Sequence, residues 1–268
     1  MLVGILGVGV VGEAVKYGFE KLGHTVIPHD PKFNTKIESI KDTEINFICV
    51  PTPEGKKGKC DTTIVNKVLL ELANLKYQGV VVIKSTVSPG IIDKAIVDYP
   101  ELNLCFVPEF LRERCASTDF TENHDLLVIG VLNNTKGNKA FEIVKNCHGK
   151  YPHKIERLLP KEAEFVKYFN NIYNATLITF ANSFYEVCKA LGVNYDKIKN
   201  AVAQRKHIND IYLDCNDNFK GFGGVCLPKD TKAFANLCIE HKIPVDFFKM
   251  LIDENNKYPI TVFEGMRK

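Results

Sequence analysis

The sequence predicts two domains of different class, an α/β domain with a doubly wound parallel sheet and then an all-α domain. Three observations predict this. In the first half, short continuous apolar runs alternate with stretches of helical periodicity, the pattern of parallel strands covered on both faces. The first run ends in a glycine turn that leads straight into a helical pattern. From Pro160 onward only helical patterns remain, the first of them about 30 residues long, beyond the ~8–20 usual for globular domains.

In chain order, Leu2–Leu6 is the first strand and Val10 to Leu22 a helix. Thr25–His29 is the second strand, and Ile45–Val50 the third, ended by Pro51 and Pro53. A helix over Thr62–Leu75 has Asp61 as its N-cap. Val80–Lys84, Leu104–Val107 and Leu126–Gly130 are further strands, with helices after Gly90 and Thr135. The connections are long enough for right-handed crossovers. The expected boundary puts the α/β domain in residues 1–152 and the helical domain in 153–268. There, Lys161 to Ala190 reads as one helix ended by Gly192. Shorter helices follow at Asp196–Arg205, from Pro228, and at Val245–Asn256. So long a first helix is expected to bridge domains or to pack against a second subunit, giving a homodimer.

The formal net charge of the 268 residues is only +3. It makes no electrostatic case for nucleic acid or a membrane surface, which need a clustered basic face. No apolar run approaches the ~20 residues of a bilayer span. The apolar N-terminus lacks the basic start of a signal peptide and carries spaced glycines. Nine cysteines are scattered, with no Cys-x-x-Cys pair and no zinc spacing. No metal is expected, and reduced thiols in a cytoplasmic protein are.

Gly7, Gly9 and Gly12 form G-x-G-x-x-G between the first strand and its helix. The first glycine permits the tight turn, the second lets backbone approach a pyrophosphate, and the third lets helix pack on strand. The helix start then offers N–H groups to phosphate. Asp30 ends the second strand 18 residues after Gly12, where an acid binds the adenosine ribose and repels a 2′-phosphate. This Rossmann-type reading predicts NAD rather than NADP, a preference that Lys32 weakens slightly.

Cys226 lies in Gly-Phe-Gly-Gly-Val-Cys-Leu-Pro-Lys-Asp, residues 221–230. Glycines ahead of a cysteine suggest backbone pressed close to a ligand. A helix starting at Pro228 puts the thiol beside a positive dipole end, which stabilises a thiolate. Asp230 falls in the first turn, able to orient water near the sulfur. The other eight cysteines read as buried small hydrophobes. Lys167 and Asn171 share one helix face, and a cation with an amide can bind a developing oxyanion. Glu109 and Glu113, and separately Thr86, follow strand ends, where ligands bind in open α/β sheets.

These residues carry a family resemblance. The chain resembles the UDP-glucose/GDP-mannose dehydrogenases, which oxidise a nucleotide-sugar alcohol to a uronic acid. Six segments match in order: the glycine fingerprint, Val50-Pro-Thr-Pro53, Lys84-Ser-Thr-Val-Ser-Pro-Gly90, Pro108-Glu-Phe-Leu-Arg-Glu113, Lys167-x-x-x-Asn171 and the loop carrying Cys226. The resemblance implies Cys226 as nucleophile, Lys167 and Asn171 as the oxyanion and water-positioning pair, Asp230 and Thr86 as holders of the water, and Glu109 as general acid/base. It implies Gly7, Val8, Gly9, Val10, Val11, Gly12, Asp30, Lys32, Pro51, Thr52, Ser85 and Thr86 as cofactor contacts. Glu113, beside the substrate region, is counted with that set. Glu109, Phe110, Leu111, Arg112, Lys167, Asn171, Phe222, Gly223 and Cys226 become substrate contacts.

The implied reaction takes four electrons from a sugar C6 alcohol, with UDP-glucose favoured and GDP-mannose the alternative. The aldehyde from the first oxidation adds Cys226. The resulting carbinol loses the second hydride to give a thioester, which water then hydrolyses. The chain departs from the family pattern in three places. It ends at Lys268 without the usual UDP-binding domain, it reads His207 to Tyr212 where relatives carry an arginine, and Arg114-Cys115 follows Glu113. The first departure motivates a further alternative, an NAD-binding subunit that needs a UDP-binding domain in trans. A single-step β-hydroxyacid dehydrogenase is a third reading, against which the glycine–cysteine loop speaks.

Overall fold

The computed structural model describes residues 1–55 and 58–259. Its described residues fall into two compact units, one of residues 1–55 and 60–167, the other of residues 58–59 and 168–259.

The first unit is a seven-stranded sheet in the order β2-β1-β3-β4-β5-β6-β7. The strands are β1 (Leu2–Leu6), β2 (Thr25–His29), β3 (Ile45–Ile48), β4 (Val80–Ile83), β5 (Asn103–Phe106), β6 (Leu126–Gly130) and β7 (Lys154–Leu158). The helices are α1 (Val10–Lys21), α2 (Thr63–Asn74), α3 (Ile91–Asp98), α4 (Ala116–Thr121) and α5 (Thr135–His148). The 31-residue α6 (Pro160–Ala190) begins in this unit. Strands β1 to β5 are mutually parallel, with Leu6 opposite both His29 and Ile48. Side chains alternate between two cores. Leu6, Ile48, Val81 and Ile83 meet Val65, Leu69 and Ile92 of α2 and α3. Val3, Ile5, Phe47 and Val82 meet Val15, Phe19 and Val144 of α1 and α5. Burial on both faces is why the central strands read as unbroken apolar runs. The order reverses between β1 and β3, so their carboxyl ends border the crevice where such sheets bind ligands.

The all-parallel expectation needs one correction. Strand β6 pairs antiparallel with β5, and β7 pairs parallel with β6. Strand β7 escaped the sequence reading because Lys-Ile-Glu-Arg-Leu is a half-exposed edge with no apolar run. With β7 and the first turns of α6 included, the first unit extends beyond residue 152. The N-cap of α2 is Thr62, not Asp61. Asp61 instead accepts the Thr63 N–H at 2.9 Å from one residue further out.

Three buried ionisable groups in this unit contribute to its response between pH 5 and 6.5. His148 is fully buried against Phe19 and Phe47 and donates through Nδ1 to the Val144 carbonyl. Burial, then the Lys84 ammonium, hold it well below the ordinary histidine value and push His124 down to about 4. Burial raises Glu164 to about 7, against the N–H groups of Gly90 and Ile92 that it accepts at 2.6 and 2.9 Å. A histidine lowered on folding loses its stabilising contribution as pH falls below 6.5, at about 1.4 kcal/mol per pH unit. The raised carboxyl acts oppositely, gaining stability between about 7 and 4.5 and offsetting one histidine. We therefore expect wild-type stability to fall on acidification from pH 6.5 to 5. In His148→Leu the fall should be smaller by about 2 kcal/mol, read from urea midpoints. Equal slopes in the two proteins would refute this.

The second unit contains the rest of α6, α7 (Tyr195–Val202), α8 (Leu227–Glu240) and α9 (Phe247–Asn255). Among its described residues the only β pairing is one isolated bridge, Asn216 with Phe219. Tyr168, Ile172, Phe222, Ala233 and Leu251 form its core. Helix α8 begins one residue before the Pro228 expected to start it, so Cys226 is itself the N-cap.

Candidate functional site

In the first unit the predicted cofactor residues gather where β1 to β4 end. Gly7 has φ of +91°, and a Cβ there would lie 2.9 Å from the Cys49 backbone. Both its conformation and its contact with the end of β3 therefore require glycine. A Cβ on Gly12 would lie 2.0 Å from the Gly7 carbonyl oxygen, so this glycine lets α1 seat on its own turn. Gly9 differs, since a Cβ there meets nothing within 4 Å. It is the N-cap of α1 and no side chain caps the helix. The first turn, Val10 to Gly12, thus offers N–H groups without a protein side chain to receive them. Helix starts of this kind bind phosphate.

Asp30 is 7% exposed, and its two carboxylate oxygens accept the N–H groups of Val8 (2.9 Å) and Lys32 (3.0 Å). Burial alone would raise its pKa, but these two donors hold it below the usual carboxylate range. The acid stays ionised and tied to the glycine turn, with lone pairs left for ribose hydroxyls. A glycine with open space beside an uncapped helix, and a fixed acid one strand away, fit a dinucleotide.

The next loops are laced together. Ser85 donates to the Val50 carbonyl at 2.6 Å, which fixes the Pro51–Thr52 turn against the end of β4. The Cys60 thiol donates to the carbonyl of Thr86, itself half-buried, at 3.1 Å. Glu109 and Lys167 form a buried pair. The Lys167 ammonium lies 3.6 Å from Glu109 Oε2 and also donates to the Glu109 carbonyl, while Oε1 accepts the Leu111 N–H. Lys84, 5% exposed, completes this group. Burial lowers its pKa, the Lys167 charge lowers it further, and Cys49 and Glu109 oppose the shift. Sequence reading gave Lys84 no role, although it opens the quoted Lys-Ser-Thr segment.

Three predicted substrate contacts have other partners here. The Arg112 guanidinium forms a two-pronged pair with Asp119 at 2.9 and 2.6 Å, and its N–H donates to the same carboxylate. Leu111 packs onto the core beneath α1 and α5. Phe110 packs onto the opposite core, with the Lys167 ammonium 5.8 Å above its ring. Glu113 is exposed at the start of a 3₁₀ turn.

The second unit assembles the thiol group. Cys226 is exposed at the N-cap of α8, where the helix dipole favours an anionic sulfur. One turn on, Asp230 is 1% exposed. Its Oδ2 accepts from Asn171 Nδ2 at 2.6 Å, and Lys229 Nζ lies 3.1 Å from Oδ1. Lys167 and Asn171, expected to act as a pair, thus bond to separate residues, Glu109 and Asp230. Phe222, expected to touch substrate, is 2% exposed and its ring belongs to the core with Tyr168 and Ile172. Its backbone is bound by Asn255, to which the sequence reading gave no role in the site: the Phe222 N–H donates to Asn255 Oδ1 at 2.7 Å.

Comparison with known proteins shows the family of the chain. Residues 29–148 match the family model described as UDP-glucose/GDP-mannose dehydrogenase family, NAD binding domain. Residues 161–257 match the central domain of the same family. The chain is 30% identical over 236 residues to UDP-glucose 6-dehydrogenase of Bacillus subtilis, covering 85% of this chain and 50% of that protein. It is 28% identical over 241 residues to GDP-mannose 6-dehydrogenase of Pseudomonas putida, covering 85% and 54%. Among solved structures, it is similar to a UDP-glucose dehydrogenase from Pyrobaculum islandicum, with a TM-score of 0.85 and 26% identity. That match covers 96% of this chain and 68% of the other. The chain thus spans about half the length of the two sequence relatives.

Proposed function

The chain belongs to the UDP-glucose/GDP-mannose dehydrogenase family, and from that premise we propose that it carries out the NAD-dependent, four-electron oxidation of a nucleotide-sugar C6 alcohol to the uronic acid, with UDP-glucose as substrate. The observation that carries the proposal is the exposed thiol at the N-cap of α8, one turn before a buried aspartate fixed by Asn171.

NAD, when bound to the glycine turn and Asp30, supplies the hydride acceptor for both oxidations. Glu109 removes the alcohol proton in the first. The Cys226 sulfur then adds to the aldehyde carbon, and its proton goes to the new oxygen, leaving a carbinol. Lys167 and Asn171 stabilise negative charge on that oxygen. Loss of the second hydride and the hydroxyl proton leaves a thioester. Asp230 and Thr86 hold the water that cleaves it, releasing carboxylate and regenerating the thiol.

The exposed apolar stripe on α6 supports a homodimer. Phe169, Tyr173, Phe180, Phe184 and Val187 are exposed and fall within about 60° of one another at 3.6 residues per turn.

The test is product stoichiometry, with two NADH expected per UDP-glucose and a thioester on the Cys226 peptide in acid-quenched samples. One NADH per sugar, or no thioester, contradicts the proposal. Turnover of GDP-mannose instead reassigns the substrate.

A further inference from the structure

We infer that Asn255, on α9, is a positioning residue that sets the reactivity of the Cys226 thiol by holding the backbone of the loop before it. The inference rests on the reading of Cys226 as nucleophile.

Asn255 is 3% exposed, and its amide makes two hydrogen bonds to one residue 33 positions away. The Phe222 N–H donates to Asn255 Oδ1 at 2.7 Å, and Asn255 Nδ2 donates to the Phe222 carbonyl at 3.1 Å. A side-chain amide carries an acceptor and a donor side by side, like a peptide group. It therefore pairs with Phe222 as a neighbouring strand would. The Phe222 ring enters the same core as Leu251, one turn before Asn255 on α9. Side chain and backbone of this one loop residue are both held.

The surroundings make that anchor consequential. Gly221 and Gly224 flank it with φ of +67° and +76°. This left-handed backbone is where glycine is preferred and where a chain can swivel once unpinned. Gly224 and Val225 are exposed, and Cys226 follows at the helix N-cap. On the far side, α8 is tied to α6 through Asp230 and Asn171. The thiol thus sits between two amide clamps. The Asn171 clamp holds the helix and the Asn255 clamp holds the loop that leads into it. Loss of the second frees the N-cap sulfur to leave the helix dipole, which lowers the thiolate fraction and the reaction rate.

The experiment is iodoacetamide alkylation of the full chain from pH 5 to 9, with Cys226 followed by peptide mapping. NAD affinity and thermal melting serve as folding controls. Wild-type Cys226 is expected to react faster than the same thiol in urea-unfolded chain. Asn255→Ala is expected to lower the rate at pH 7 about fivefold and to move the profile to higher pH. Asn255→Asp is the discriminating variant. Protonated, its carboxyl accepts from the Phe222 N–H and donates to the carbonyl, so it matches wild type. Ionised, it cannot donate, and its rate drops to that of Asn255→Ala. A role in packing alone gives a ratio of Asn255→Asp to wild type that is flat with pH, and a flat ratio overturns the inference. So does an unchanged profile in both variants, or failure of both to fold at every pH. A wild-type thiol no faster than the unfolded one overturns the nucleophile reading itself, a distinct outcome.

Discussion

Cys226→Ala is expected to lower uronate formation by about three orders of magnitude or more, while NAD affinity stays within about twofold of wild type. The size of the effect follows from the chemistry. An aldehyde has no hydroxyl to lose with its hydride, so the second oxidation needs an adduct. In the proposed reaction the thiol forms that adduct and then leaves as a good leaving group. Water can add as well, but without the helix start that favours an anionic sulfur. Cys226→Ser keeps a nucleophile of similar shape but higher pKa, and should accumulate aldehyde with little carboxylate. Cys60→Ala serves as the control. That thiol is half-buried and its described partners are the carbonyls of Thr86 and Thr52, so its loss should change the rate only slightly. Uronate and NADH measured over one time course decide the matter. Near-normal uronate from Cys226→Ala would remove the covalent step.

What the sequence made legible follows physical range. The strands buried on both faces stood out because burial demands unbroken apolar runs, as in Val80–Ile83. Gly7 and Gly12 were legible because backbone approaches that exclude a side chain leave only glycine. Cys226 was legible because glycines and a proline mark a loop-to-helix junction. The rest lay in contacts between distant segments. Glu164 holds the Gly90 N–H across 74 positions and Asn255 holds Phe222 across 33, and neither pairing leaves a periodic trace. Arg112 and Phe222 likewise have partners that their matching segments did not announce: Asp119 pairs with the Arg112 guanidinium, and the helical core takes the Phe222 ring.

The glycine turn offers a sharper test of function than the match to a motif does, because its second and third glycines are required for different reasons. Gly12→Ala puts a methyl 2.0 Å from a carbonyl oxygen of the same turn. Two backbone segments must separate, so a loss of about 3 kcal/mol or more in folding stability is expected. Gly9→Ala puts its methyl in open space, at φ of −95° and ψ of −161°, a conformation alanine adopts readily. Its stability should change by about 1 kcal/mol or less, the cost of a poorer N-cap. Nothing among the described residues therefore demands glycine at position 9. If NAD pyrophosphate lies against that backbone, the added methyl occupies its place and affinity should fall about tenfold or more. Urea midpoints and NAD titrations of the two variants separate the roles. Wild-type NAD affinity in a folded Gly9→Ala protein would leave the turn as a structural device only. A stable Gly9→Ala protein with weakened NAD binding would tie the open side of that glycine to the cofactor.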